Sequence, residues 1–354
     1  MFSRAVSAFA ITSIAAVAIP SHAALPDYQL VGTYNLPTSS SSFDILPDGR
    51  LITLTGAAID IQSSVNNSTY SPLGSIPTGL VSSFGATFFR VSPSGASIAI
   101  GDNDAGSATQ EVLLLSTAAL NTSAPTTPTL IACDNYAAHW ASDSTLYVSG
   151  IASFGAFATI TRIDATTITA PTAQTVVNNI GGFSGGVTTD ATYLYTSNGF
   201  DLIPGAGSSD VGEVRAIPLA SLGAPGAPID FELGGIPVAD ALSGDSLGFD
   251  AFGNLIVGGG DFGSGDYGSA AVIDASAIAS ALAGGPLAGD ASELRLTPNT
   301  TSDFYNIRAN PITGELLVTH FGSSIVYRYA IPTPGALTLA ALPLIACAWR
   351  RRHA

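Results

Sequence analysis

A turn-and-strand unit recurs six times along the chain, and a repeat of this length constrains the fold more than any other feature of the sequence. The copies read Pro47-Asp-Gly-Arg-Leu-Ile-Thr-Leu54, Pro93-Ser-Gly-Ala-Ser-Ile-Ala-Ile100, Asp143-Ser-Thr-Leu-Tyr-Val148, Asp190-Ala-Thr-Tyr-Leu-Tyr195, Phe252-Gly-Asn-Leu-Ile-Val257 and Ile312-Thr-Gly-Glu-Leu-Leu-Val318. Their turns, from Gly49 to Gly314, lie 46 to 62 residues apart. Gly and Asp tolerate the positive φ of tight hairpins, and the apolar runs behind them fit a pleated strand. A short strand precedes each unit. A third follows it at Ala58 to Ile61, Glu111 to Leu115, Ala158 to Ile163, Glu213 to Ile217, Ala270 to Ile273 and Ser324 to Tyr329. Outer fourth strands are expected at Ser71 to Ile76, Pro128 to Ala132, Gln174 to Val177, Ile229 to Leu233 and Glu293 to Thr297, and the sixth copy has none.

An unpaired strand stands at the other end of the domain, Tyr28-Gln-Leu-Val-Gly-Thr-Tyr34. If it completes the sixth copy, the ends of the domain meet and the ring closes without an open seam. The expected fold is therefore all-β: a single β-propeller of six four-stranded blades closed by the N-terminal strand, in preference to a sandwich or to five or seven blades. Two helical patches, Leu114 to Leu120 and Ile273 to Leu282, fall between third and fourth strands as surface connections.

Both ends of the chain differ in character from the repeats. Residues 1–23 carry one positive charge at Arg4, an apolar stretch and the small-residue end Ser21-His22-Ala23, the pattern of a secretory signal cut after Ala23. Residues 332–354 run from Pro332-Thr333-Pro334 through an apolar stretch to Arg350-Arg351-Arg352. That stretch lies at the lower end of membrane-spanning length, and its arginines would stay on the cytoplasmic side. A Pro-x-Pro motif, a short apolar helix and a terminal Arg cluster resemble the PEP-CTERM sorting signal of bacterial surface proteins, with Thr333 where that signal has glutamate. The resemblance implies export machinery and an exosortase-like transpeptidase as partners, transient anchoring by the tail, and an exopolysaccharide-producing bacterium. An ordinary C-terminal membrane anchor is the alternative reading. Either one places residues 24–331, the propeller domain, outside the cytoplasm.

The chain holds 11 Lys and Arg against 26 Asp and Glu, a net charge of −15, and every basic residue is arginine. Without Arg4, Arg350, Arg351 and Arg352 there remain 7 basic residues against 26 acids, or −19. Such a balance repels nucleic acid and excludes it as a partner class. Cys347 lies in the tail, which leaves Cys133 alone in the domain with no disulfide available.

Chemistry has two candidate locations. Aligning the first strands on their turns brings Asp44, Arg90 and His139 into one register, and Asp250 joins them if its turn is one residue shorter. Innermost strands line the channel of a propeller. A histidine with a carboxylate and an arginine there can support acid–base hydrolysis or can form an inter-blade salt-bridge set that fills the channel. Asp102, Asp104, Asp261 and Asp266 fall in loops of one face and are candidate Ca²⁺ ligands, Ca²⁺ being the one cofactor considered, or else solvated turn acids. No P-loop and no Cys/His metal spacing occurs, and the glycines of Gly258 to Gly268 are followed by no lysine and no helix, so they read as a loop and not as a phosphate site. The glutamates fall on or beside outer strands or a turn, which disfavours a sugar-lactonase type of site. The sequence thus favours a non-enzymatic binding or structural module of the cell surface or extracellular matrix, with an extracellular polysaccharide or matrix protein as partner. A secreted propeller hydrolase using the channel set is the rival.

Overall fold

The computed structural model describes residues 25–332 except 40, 82–84, 103–109, 154–155, 182–183, 199–211, 224–226, 242–243, 260–266, 290–292, 302–304 and 321. Six antiparallel sheets account for nearly all of it. From the centre outwards, blade 1 comprises Ser42–Ile45, Leu51–Thr55, Ala58–Gln62 and Tyr70–Ser75. Blade 2 comprises Phe89–Val91, Ser97–Gly101, Glu111–Ser116 and Thr129–Ala132. Blade 3 comprises Ala137–Ser142, Thr145–Gly150, Ala158–Asp164 and Thr172–Ile180. Blade 4 comprises Ser184–Thr189, Tyr193–Asn198, Gly212–Pro218 and Ile236–Ala241. Blade 5 comprises Gly244–Phe249, Leu255–Gly259, Tyr267–Ile273 and Glu293–Thr301. Blade 6 comprises Tyr305–Ala309, Leu316–His320 and Ile325–Ala330, with Gln29–Asn35 as its outer strand. The chain is a six-bladed β-propeller.

The packing follows from the strand patterns. Second strands are buried almost end to end, as in Leu51–Thr55 and Leu255–Gly259, because a neighbouring blade covers each face. That is why the repeats read as continuous apolar runs rather than as alternation. Six apolar clusters form the core, and each joins two adjacent blades. Ile52 and Ile59 of blade 1 meet Phe89 and Ile100 of blade 2, for example, while Phe43 and Leu51 meet Leu317 and Val326 of blade 6. One cluster per blade interface is what a closed ring requires.

The seam is built as the unpaired strand anticipates. Gln29 pairs with Ala330 and Asn35 with Ile325, so the start of the domain lies against its end. The Arg328 guanidinium lies 4.5 Å from the centre of the Tyr34 ring and binds both carboxylate oxygens of Glu315 at 3.1 and 2.6 Å.

Two sequence expectations are corrected. Ile229 to Leu233 is not the outer strand of blade 4: Ile229–Asp230 instead pairs in parallel with Thr172–Ile180 as a fifth strand on blade 3. The Asp230 carboxylate then accepts the amides of Glu232 and Leu233, which ends the strand and starts the short helix Phe231–Gly234. Phe231 is driven into the core between blades 3 and 4, and Ile236–Ala241 takes the outer place. Leu114 to Leu120 is not a helical patch either. Val112 to Leu115 are all buried in a third strand, and only one 3₁₀ turn, Thr117–Ala119, follows. The other patch is a helix, Ala275–Leu282, capped by Asp274, though Ile273 ends the preceding strand. Among the described residues no helix is long and apolar enough to cross a membrane, and 333–354, with Thr333, Pro334 and Arg350 to Arg352, lie outside them.

Candidate functional site at the ring centre

The six innermost strands bring their side chains together at the ring centre, and three of the four expected residues meet there. Asp44 is on the inner strand of blade 1, Arg90 on that of blade 2 and His139 on that of blade 3. Asp44 Oδ2 accepts the Val91 amide at 2.7 Å, tying blade 1 to blade 2. Arg90 donates through Nε to the Ala138 carbonyl at 3.0 Å and through Nη1 to its neighbour Phe89 at 2.8 Å, tying blade 2 to blade 3. The Trp140 indole returns a bond to the Arg90 carbonyl at 3.3 Å. His139 Nε2 lies 3.1 Å from the Thr189 hydroxyl, and Nδ1 lies 3.5 Å from that of Thr188, both on blade 4.

Asp250 does not join this set. It is the first residue of its turn, where its carboxylate binds the amides of Phe252 and Asn254, the Asn254 side chain, and the Tyr28 hydroxyl at 3.0 Å. Gly248 pairs with Ile256 as Asp44 pairs with Ile52, so the equivalent inward position of blade 5 carries no side chain. Burial and the Asp250 charge hold the Tyr28 phenol well above its ordinary range, so it remains a donor and fastens the segment ahead of the first strand to blade 5.

The structure adds residues that the sequence alignment missed. Arg308, on the inner strand of blade 6, places Nε 3.8 Å from Asp44 Oδ1 and donates through Nη1 to the Ser246 hydroxyl at 2.9 Å and the Ile307 carbonyl at 2.9 Å. Its turn reaches the glycine at the fifth residue, Asn310 to Gly314, where the turns of blades 1 and 2 reach it at the fourth, Leu46 to Gly49 and Ser92 to Gly95, so counting back from the glycine misses it by one. Thr188 and Thr189 had no distinguishing signal in a chain so rich in hydroxyl residues, whereas Ser246 stands in the Gly-x-Ser-x-Gly run Gly244-Asp-Ser-Leu-Gly248, which alignment on the turns does not use.

Electrostatics define what these groups can do. Burial raises the Asp44 carboxyl above its ordinary range, opposed by the Arg90 charge and two backbone amides. Burial, then the Arg90 charge, pushes His139 down to about 4. The imidazole is thus neutral at pH 7, and its ring nitrogens face hydroxyls instead of the carboxylate that orients a catalytic histidine. Because the folded value lies below the unfolded one, the unfolded chain binds the extra proton first. His139 therefore contributes stability above about pH 6.5 that is lost as the pH falls towards about 4. Titration of its ring ¹⁵N resonances should show no protonation step between about pH 5 and 8, and His139→Gln should flatten the stability slope of the acid limb. A midpoint near the ordinary value for histidine would contradict this reading.

Of the four candidate Ca²⁺ ligands, only Asp102 lies among the described residues. Its Oδ2 accepts the Glu111 amide at 2.9 Å and its Oδ1 the Asn135 side chain at 3.0 Å, so both oxygens serve contacts between strands and blades. Asp104, Asp261 and Asp266 lie outside the described residues. Among the described residues no three His, Cys, Asp or Glu side chains are grouped to hold a metal ion.

No protein-family model matches the chain, and no curated protein does. Solved structures do match. A gluconolactonase from Xanthomonas campestris, described as important in glucose secondary metabolic pathways, aligns at a TM-score of 0.52 with 12% identity, covering 86% of this chain and 91% of that one. The β-propeller domain of Myceliophteria thermophila Cps50 (Swd1) aligns at a TM-score of 0.48 with 10% identity, covering 86% of this chain and all of that one. At such identities the first of these likenesses bears on the fold alone.

Proposed function

We propose that this chain is an exported, surface-associated bacterial propeller that acts as a non-enzymatic binding or structural module of the cell envelope or extracellular matrix. The observation that carries the non-enzymatic part is the employment of the central groups. Asp44, Arg90 and His139 each reach across to the next blade, and among the described residues no nucleophile, base and orienting carboxylate stand in sequence. The export part rests on the signal-like residues 1–23 and the PEP-CTERM-like residues 332–354. The seam supports the same picture: residue 330 pairs with residue 29, so a tail leaving at residue 332 departs beside an already completed blade.

Expression in a bacterium that possesses an exosortase tests the reading. Intact-mass analysis should find an N-terminus at Ala24, and removal of 332–354 should move the protein from the envelope fraction to the medium. Full-length protein retained in the cytoplasm would refute the export reading. For the rival hydrolase, Asp44→Ala with His139→Ala should leave any measurable ester or lactone hydrolysis unchanged, and its loss in a folded variant would favour the enzyme.

A further inference from the structure

We infer that the ring centre is a binding site for a small oxyanion or carboxylate group, held between Arg308 and Arg90. This inference stands on the central geometry and does not depend on export. Three arginines away from the centre have carboxylates in contact: Arg50 with Asp48 at 2.7 Å, Arg215 with Glu213 and Glu232 at 2.9 and 2.8 Å, and Arg328 with Glu315 at 2.6 Å. Arg162, on the third strand of blade 3, bonds Gln174. Among the described residues, the two central arginines share one carboxylate, that of Asp44, which stays 3.8 Å from Arg308 Nε. That Nε is buried and has no hydrogen-bond partner among the described residues.

Each guanidinium has five N–H donors in a planar fork. Two from Arg90 and two from Arg308 reach protein acceptors. The other donors of the two forks bond no protein acceptor among the described residues. With His139 neutral, Asp44, Arg90 and Arg308 sum to one positive charge, and protonating Asp44 would only increase it. An excess positive charge inside protein walls is costly unless an anion accompanies it. Guanidinium forks suit carboxylate and phosphate-like oxyanions, which accept two parallel bonds. Arg308 and Asp44 retain 13% and 12% side-chain exposure, so they are not sealed from solvent.

Acetate is a suitable probe, with glycerol as the uncharged control. Trp140 offers a local reporter, since its indole binds the Arg90 carbonyl and the only other tryptophan is Trp349 in the tail. Titrating purified full-length chain with sodium acetate at constant ionic strength should shift the Trp140 indole resonance saturably, and glycerol should not. Arg308→Gln should weaken acetate binding about tenfold, the scale of a lost charge-assisted bond. Asp44→Asn keeps an acceptor for the Val91 amide, removes the competing negative charge, and should tighten binding several-fold. Absence of a saturable shift overturns the proposal, as does a folded Arg308→Gln chain that binds like the original. Should Arg308→Gln fail to fold, Asp44→Asn decides alone: unchanged or weaker binding overturns the site.

Discussion

A chain lacking residues 25–35 should lose its cooperative melting transition and associate, because the first strand is a structural part of blade 6. It supplies the backbone ladder from Gln29 against Ala330 to Asn35 against Ile325. Tyr34 and Leu36, just beyond the strand, belong to the cluster between blades 6 and 1, and Tyr28 to that between blades 5 and 6. Leu36 stays in the shortened chain, while burying Tyr28 and Tyr34 contributes on the order of 2 kcal/mol each, or about 4 kcal/mol together, against a typical net stability of about 5–15 kcal/mol. The loss also strips Ile325–Ala330 of its outer partner, and an unpaired edge templates intermolecular pairing. Arg328 would keep Glu315 but lose the aromatic face of Tyr34. Size-exclusion chromatography and calorimetry would show oligomers and a broad, low-enthalpy transition. A synthetic peptide spanning 25–36 should restore the monomer and the sharp transition. A truncated chain that melts as sharply and at the same temperature as the full one would show that the seam does not hold the ring. Tyr34→Ala is the milder version, expected to cost about 3–5 kcal/mol as other large aromatic truncations do.

The blade count and the seam were legible because they rest on local signals that the ring repeats. Tight turns and apolar second strands recur, and a missing strand at one end matches a spare strand at the other. What failed was local in a different way. Ile229 to Leu233 has a strand-like composition, yet Asp230 caps a helical turn, and the partner of Ile229–Asp230 is a strand of the preceding blade. Sequence periodicity says nothing about which blade a crossing segment joins. At the centre, register decided the outcome. Asp44, Arg90 and His139 were found by counting from turns of comparable offset, while Arg308 was lost to one extra turn residue and Asp250 was gained wrongly by a turn of ordinary length. The inter-blade bonds that occupy these groups involve partners 47 to 50 residues away. Such partners become visible only once neighbouring repeats are set side by side.

The second large effect concerns a residue whose importance composition conceals. Gly150 ends the second strand of blade 3, and a Cβ there would lie 2.1 Å from the Asp134 carbonyl carbon and 2.4 Å from the Asn135 nitrogen. Those atoms belong to the segment that carries the chain from blade 2 inward to blade 3. The segment cannot easily yield. Asn135 donates its side chain to Asp102 at 3.0 Å and to the Glu111 carbonyl at 3.2 Å, and its amide reaches Gln110 at 2.9 Å. The Tyr136 amide then binds the Ser149 carbonyl at 2.7 Å, and Gln110 binds the carbonyl of Ile151, on the far side of Gly150. Gly150→Ala must therefore break part of this network or displace the inner strand that bears His139. Its cost should reach about 3 kcal/mol, the upper range for overpacking. Gly56→Ala provides the contrast. Gly56 has a φ of +58° with nothing within 4 Å of an added Cβ, so that change incurs only the left-handed backbone penalty of about 1–2 kcal/mol. Urea denaturation should rank Gly150→Ala well below Gly56→Ala, and it should also move the Trp140 and His139 resonances, which Gly56→Ala leaves in place. Equal midpoints for the two variants would mean that the crossing segment gives way freely, and that the centre of the ring does not depend on how tightly blade 2 hands the chain to blade 3.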